Sequence, residues 1–168
     1  GAGRSSAADD FEDLGWFVID NLPLPLVPKV AELVLGGGST IERVALVVGR
    51  TAPDEMATGG ALLQAIDGLA ATGARVRVLF LDASDPILVR RYESSRRRHP
   101  LAEHEGVGVG IERERGVLQA VRDRADVILD TSATNVHELR ERLVELFVVF
   151  REQHRGARVV AQVVHLGR

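Results

Sequence analysis

Short apolar runs alternate with helical patterns along most of this chain. Four runs have the length and the β-branched content of buried strands, and they lie at 16–19, 44–48, 76–81 and 127–129. Apolar residues at helical spacing predict six helices, at 5–14, 24–35, 60–71, 85–99, 111–124 and 135–150. Strands that alternate with helices predict an α/β fold with a parallel sheet, and right-handed crossovers would give it three layers.

Local signals support several helix boundaries. Three glycines at 36–38 end the second helix, and Pro86 suits the first turn of the fourth. Asn135, with Glu138 three residues later, predicts a capping box at the start of the last helix. Because the stretch 103–110 contains three glycines and no periodicity, it is predicted to be a loop.

One element is missing from the predicted order. No strand precedes the first helix, although a doubly wound fold needs one to lead into it. We therefore expect the domain to cover 1–150 and to be truncated at its N-terminus, with its first strand outside the chain. The apolar run at 159–164 is expected to lie in a linker, 151–168, and to be a candidate first strand of a further, C-terminal domain.

Composition narrows the class of protein. The chain has 168 residues, 45% of them hydrophobic, which is enough for one sizeable core. The net charge of -3 gives no general basic field for nucleic acid. The chain contains no cysteine, which excludes disulfides and thiolate metal sites, and no apolar run approaches the roughly 20 residues of a membrane span. A cytoplasmic protein without a membrane partner is expected.

The first six residues match the end of a phosphate-binding loop. The order Gly1, Ala2, Gly3, Arg4, Ser5, Ser6 opens a predicted helix and follows the pattern G-x-x-x-x-G-[KR]-[ST] from its fourth position. Glycines let backbone N–H groups converge on phosphate oxygens, and the positive end of the helix dipole favours the same anion. A flexible Gly/Ser terminus is an equally good interpretation of these residues alone.

Individual side chains near this loop have predicted roles. Arg4 would reach the β- and γ-phosphates in place of lysine, and Ser5 would ligate Mg²⁺ through its hydroxyl. Asp82 follows a buried strand, where an acid can hold Mg²⁺ or its waters; a turn-capping aspartate is the alternative. Asp20 also ends a strand, and it is either a ligand-facing acid or part of an Asx-turn.

Arginines are concentrated around the fourth predicted helix, at 90, 91, 96, 97 and 98. They could form a lid that closes over a triphosphate, a solvated basic face, or an RNA-binding patch, and these three interpretations stay open on the sequence alone. The five histidines are dispersed without an H-x-x-x-H pair, which argues against zinc.

Several longer motifs, taken together, resemble one family. In chain order they are Gly1–Ser5, 12–16 (EDLGW), 18–23 (VIDNLP), 79–83 (LFLDA), 90–92 (RRY), 96–101 (RRRHPL), 125–126 (AD), 130–132 (DTS) and 135–139 (NVHEL). They extend from residue 1 to about residue 147. This set resembles the RapZ/YvcJ family of bacterial RNase adapter and nucleotide-binding proteins.

The resemblance implies a kinase-like P-loop domain that binds ATP and GTP with Mg²⁺ and hydrolyses them slowly. It implies nucleotide contacts by Gly1, Ala2, Gly3, Arg4, Ser5, Ser6, Arg50, Arg91 and Arg97, with Ser5 and Asp82 as metal ligands. Arg50 is what persists of a second family motif, D-V-R-N, whose aspartate is missing here; this puts GTP in doubt more than ATP. In some members a C-terminal domain binds small RNA and guides a ribonuclease, and that domain is not expected in these residues.

Three functions of different class are considered. The first is a regulatory nucleotide-binding protein with weak ATPase or GTPase activity, expected to be a homo-oligomer, in which Arg4 and Asp20 are the candidate catalytic residues and Asp20 positions water. The alternative is a small-metabolite kinase, which shares the fold and the arginine lid. A third, non-enzymatic interpretation is an RNA-binding scaffold that uses the arginines at 96–98.

Overall fold

The structure, a computed structural model, describes residues 2–48, 59–94 and 106–166. Within these ranges, five parallel strands form one sheet: β1 (Phe17–Leu22), β2 (Arg43–Val48), β3 (Arg75–Asp82), β4 (Val127–Asp130) and β5 (Val159–His165). The flanking helices are α1 (Arg4–Asp13), α2 (Val27–Leu35), α3 (Gly59–Ala71), α4 (Asp85–Ser94), α5 (Val107–Arg124) and α6 (Val136–Gln153), and a 3-10 turn at Leu24–Leu26 precedes α2. The predicted α/β class with a parallel sheet is confirmed, and the architecture is consistent with a P-loop NTPase-like fold.

The strand order is β1-β2-β5-β3-β4, so β5 is central. It pairs in parallel with β2 on one side and with β3 on the other, and all seven of its residues are buried. From the sequence alone, this run is predicted to lie in the linker 151–168. The structure instead includes it in the sheet of the domain, because a run of mostly apolar residues without polar alternation suits a strand covered on both faces.

An aromatic cluster holds α1 against α6. Phe11 of α1 and Phe147 of α6 meet edge to face with centroids 4.9 Å apart, and Trp16 contacts both rings. Phe11 and Phe147 are fully buried. Burial of a large aromatic side chain stabilises by roughly 1.5–3 kcal/mol, and well-oriented ring pairs add to this. The packing therefore fixes the direction of α1 and the position of its N-terminus.

The start of α5 differs from the prediction. The loop predicted over 103–110 overlaps the helix, which begins at Val107, four residues before the predicted position at residue 111. Gly110 and Ile111 are both buried there. The two glycines of this first turn weaken the periodic signal, and the burial of Gly110 and Ile111 outweighs their low helix propensity.

Candidate functional site

Polar residues collect at the edge of the sheet where the strands end. Asp20 lies in β1 near its carboxyl end, while Asp82 ends β3 and Asp130 ends β4. The segment before α1 reaches the same edge, because the Ala2 N–H donates to the carbonyl of Leu166, just after β5, at 2.9 Å. In open α/β sheets ligands bind outside the carboxyl ends of the strands, so this edge is the candidate site.

The turn into α1 requires a glycine. Gly3 has a φ of 96°, in the left-handed region, and a Cβ there would lie 3.4 Å from Leu139 Cδ2. Gly3 is the N-cap of α1, and no side chain of a described residue caps this helix end through a hydrogen bond. The first turn also contains no acidic residue. The first N–H groups of α1 are thus left for an external acceptor, which a helix N-terminus prefers to be an anion.

Arg4 and Asp20 are brought together. The Arg4 Nε lies 3.7 Å from the Asp20 Oδ1, and the two side chains are 24% and 38% exposed. Asp20 also accepts a hydrogen bond from the adjacent Asn21 N–H at 2.7 Å, one residue on rather than the two of an Asx-turn. At this exposure the ion pair is weak, and an incoming anion could replace Asp20 as the partner of Arg4. Their predicted catalytic roles stay predictions.

Thr131 connects the segment before α1 to the end of β3. Sequence reasoning did not single out this residue. Its buried hydroxyl lies 3.2 Å from the Ala2 carbonyl and 3.0 Å from the Asp82 carbonyl, and the Thr131 N–H donates to the same Asp82 carbonyl at 2.8 Å. Arg91 of α4 donates to the Thr131 hydroxyl at 3.2 Å and to its carbonyl at 2.8 Å. The only available signal was the position of Thr131 directly after β4, within the D-T-S motif.

The residues beside Thr131 form a tight turn. Asp130 accepts hydrogen bonds from the Ser132 hydroxyl and the Ser132 N–H, and these two contacts lower the pKa of the Asp130 carboxyl. Ser132 in turn accepts from the Ser84 N–H at 2.8 Å, which connects the ends of β3 and β4. The turn therefore adds a second link between the same two strands.

The Asp82 carboxylate is surrounded by donors. Its Oδ1 accepts from the Ala83 N–H at 2.7 Å and from Arg115 Nη1 at 2.9 Å, and its Oδ2 accepts from Arg122 Nε at 3.2 Å. Burial opposes the charge on Arg115, but hydrogen bonds to Asp85 and Asp82 outweigh that effect and raise the pKa of the guanidinium. A small cavity of about 130 Å³ lies against this cluster. The two arginines are 33 and 40 residues from Asp82 along the chain, so no spacing rule predicts these contacts.

The fit to Mg²⁺ is mixed. A serine hydroxyl and a carboxylate are the hard oxygen ligands that Mg²⁺ prefers, so Ser5 and Asp82 suit it chemically. Ser5 is exposed in the first turn of α1, beside the half-buried Ser6, whereas Asp82 already has two arginine partners. Over 2–48, 59–94 and 106–166 there is no group of three or more His, Cys, Asp or Glu side chains that could hold a metal. The two predicted metal ligands stay predictions.

Three of the predicted nucleotide contacts, Gly1, Arg50 and Arg97, lie outside the described residues. The same holds for the neighbouring arginines at 96 and 98. Of the arginines predicted to close over a nucleotide, Arg90 and Arg91 are described: Arg90 is exposed on α4, and Arg91 contacts Thr131 as given above.

An apolar groove of about 750 Å³ runs between the 3-10 turn with α2 on one side and α3 on the other. Its walls include Leu24, Val27, Ala31 and Leu69. Glu32, Gln64 and Thr72 provide its polar side chains. The groove thus offers few groups that could hydrogen-bond to a polar small molecule.

None of the described helices is both long enough and apolar enough to cross a membrane.

The chain is similar to several known proteins. The chain is 48% identical over 147 residues to a protein of Pseudarthrobacter chlorophenolicus named as a nucleotide-binding protein, covering 88% of the chain and 47% of that relative. Proteins with the same description from Parafrankia sp. and Thermobifida fusca are 45% and 44% identical, over 99% and 96% of the chain and 55% and 54% of their own lengths. The chain therefore spans about half the length of the curated relatives it matches. The family model described as the RapZ-like N-terminal domain matches residues 1–151, and the chain belongs to that family.

Proposed function

We propose that this chain is a regulatory nucleotide-binding domain that holds the phosphates of ATP or GTP, with Mg²⁺, at the N-terminus of α1. The observation that carries the proposal is the start of α1, where Gly3 in a left-handed conformation leads into a helix end that no described side chain caps. Arg4 adds a full positive charge beside these N–H groups. The names of the relatives support nucleotide as the ligand.

Arg4 would exchange its partner when the nucleotide binds. In the structure it pairs with Asp20 over 3.7 Å, and a triphosphate would offer it a more highly charged acceptor with bidentate geometry. The exchange would release the Asp20 carboxylate at the edge of the sheet. Asp20 could then orient a water molecule for attack on the γ-phosphorus, which breaks the bond to the bridging oxygen and releases nucleoside diphosphate and phosphate.

Hydrolysis is expected to be slow. Arginine in place of lysine grips phosphate in a fixed plane and follows a moving phosphoryl group less well. Mg²⁺, when bound, would neutralise charge on the phosphates, with Ser5 and Asp82 as its protein ligands. We further propose, for the longer form represented by the relatives, a cytoplasmic homo-oligomer with small RNA or a ribonuclease as partner.

Phosphorylation of a small metabolite is the less favoured function. A kinase of that kind needs polar groups that grip the acceptor, and the large groove beside α2 is lined mostly by apolar side chains. A screen of candidate acceptors for phosphorylated products distinguishes the two functions. Release of ADP and free phosphate in equal amounts, with no phosphorylated acceptor, would rule out the kinase.

Calorimetric titration of the chain with ATP and GTP, each with Mg²⁺, tests nucleotide binding. We expect saturable binding that Arg4→Ala weakens by roughly 10- to 100-fold, the effect of losing a charged hydrogen bond. Arg155→Ala is the matched control, because Arg155 is 78% exposed and pairs with Glu152 at the end of α6. Absence of saturable binding for both nucleotides would refute the proposal.

A further inference from the structure

Two arginines of α5 approach one carboxylate. Arg115 and Arg122 are seven residues apart, which is about two helical turns, so they lie on the same side of α5. Arg115 Nη1 is 2.9 Å from Asp82 Oδ1, and Arg122 Nε is 3.2 Å from Asp82 Oδ2. The Asp82 side chain is only 12% exposed. These contacts attach α5 to the end of β3.

The Asp82 carboxylate has few free acceptor positions. An ionised carboxylate offers about four acceptor positions, and Ala83, Arg115 and Arg122 occupy three of them here. Mg²⁺ binds a carboxylate oxygen directly, at about 2.0–2.1 Å. A guanidinium bound to the same oxygen would lie within a few ångströms of that cation and repel it. The two kinds of partner therefore exclude each other.

Arg115 has hydrogen-bond partners besides Asp82. Its Nε donates to Asp85 Oδ1 at 2.8 Å, and its Nη2 donates to the Ala83 carbonyl. Arg115 can thus give up one hydrogen bond and stay attached to the start of α4. Arg122 contacts Asp82 through Nε alone in the structure and is 39% exposed, so solvent can accept its charge.

We propose that Arg115 and Arg122 compete with a divalent cation for the Asp82 carboxylate, so that they set the cation affinity of the site and hold α5 to β3 while no cation is bound. This rests on the proposed function in so far as the cation arrives with a nucleotide. Cation loading then removes two of the contacts between α5 and the end of β3. α5 is therefore the element whose contacts change when a cation occupies the site.

Binding of Mn²⁺, followed from the electron paramagnetic resonance signal of the free ion, tests the competition. The titrations use the chain alone and the chain with ATP, for the wild type and for Arg122→Gln and Arg115→Gln. We expect both variants to bind Mn²⁺ at least several-fold more tightly than the wild type. Arg124→Gln is the matched control on the same helix, because Arg124 pairs with the exposed Asp67, and its Mn²⁺ affinity should not change.

Asp82→Asn combined with Arg122→Gln completes the test, and it should abolish the gain. Unchanged or weaker Mn²⁺ affinity in both single variants would overturn the inference, as would a gain that persists without the Asp82 carboxylate or an absence of Mn²⁺ binding in every variant. The titration without ATP separates this inference from the proposed function: failure to bind ATP refutes that function, whereas tighter Asp82-dependent Mn²⁺ binding would still support competition. If Arg115→Gln does not fold, Arg122→Gln decides alone, since it removes a single contact.

Discussion

Replacing Thr131 with valine removes one buried hydroxyl while keeping nearly the same shape. The carbonyl of Asp82 retains the Thr131 N–H at 2.8 Å, and Arg91 retains the Thr131 carbonyl at 2.8 Å. The Ala2 carbonyl loses the hydroxyl that lies 3.2 Å away, and Ala2 is fully buried. A buried acceptor left without its partner costs about 1–3 kcal/mol, and the added methyl group offsets part of this. We expect Thr131→Val to lower the free energy of unfolding by about 1–2 kcal/mol.

Urea unfolding followed by circular dichroism measures this change. Thr131→Ser is the control, because it keeps the hydroxyl and removes only the methyl group near Gly3. Both variants should lose stability, so nucleotide affinity separates them. Valine should weaken binding, since the segment before α1 loses a tie to β3, whereas serine should retain it. Wild-type stability and wild-type affinity in the valine variant would show that the Thr131 hydroxyl does not hold the segment before α1 in place.

Three further changes give defined outcomes. Gly3→Ala should lower the unfolding free energy by about 1–2 kcal/mol in urea unfolding, because an L-residue is strained at a φ of 96°, and an unchanged value would contradict this. Asn135→Ala should lower it by about 1 kcal/mol through loss of the capping box with Glu138, whereas equal stability would show that the cap contributes little. Burial raises the pKa of the Asp10 carboxyl above 3.8, although the charge of Arg140 opposes this shift. The protonated carboxyl therefore contributes its full stabilisation below pH 3.8, and this contribution is lost as the pH rises through the raised pKa. The stability of Asp10→Asn relative to the wild type should therefore increase from pH 3.8 upward and then level off, and a difference independent of pH in parallel urea series would refute this.

Local signals in the sequence were sufficient where the interaction itself is local. The capping box was predicted from the spacing of Asn135 and Glu138, and both of its hydrogen bonds are present. The parallel sheet followed from the alternation of strands and helices. The glycine before α1 was expected from its place in the motif, and its positive φ confirms that the turn needs it.

Contacts between distant segments could not be predicted in the same way. Thr131 reaches Ala2 across 129 positions, and Arg122 reaches Asp82 across 40. No spacing rule relates such residues, because their proximity depends on the order of the strands. The start of α5 was also missed, since its first turn is stabilised by packing rather than by propensity.

Hydrophobic period, capping residues and glycine act on the backbone within a few residues, so the strands, most helical turns and the start of α1 could be predicted from the sequence. The central position of Val159–His165 in the sheet and the two arginine partners of Asp82 are properties of the folded chain. Both depend on which buried surfaces and charges meet after the chain has folded. An apolar strand fits equally well at several places in a sheet, and the position that buries it on both faces is set by all its neighbours together.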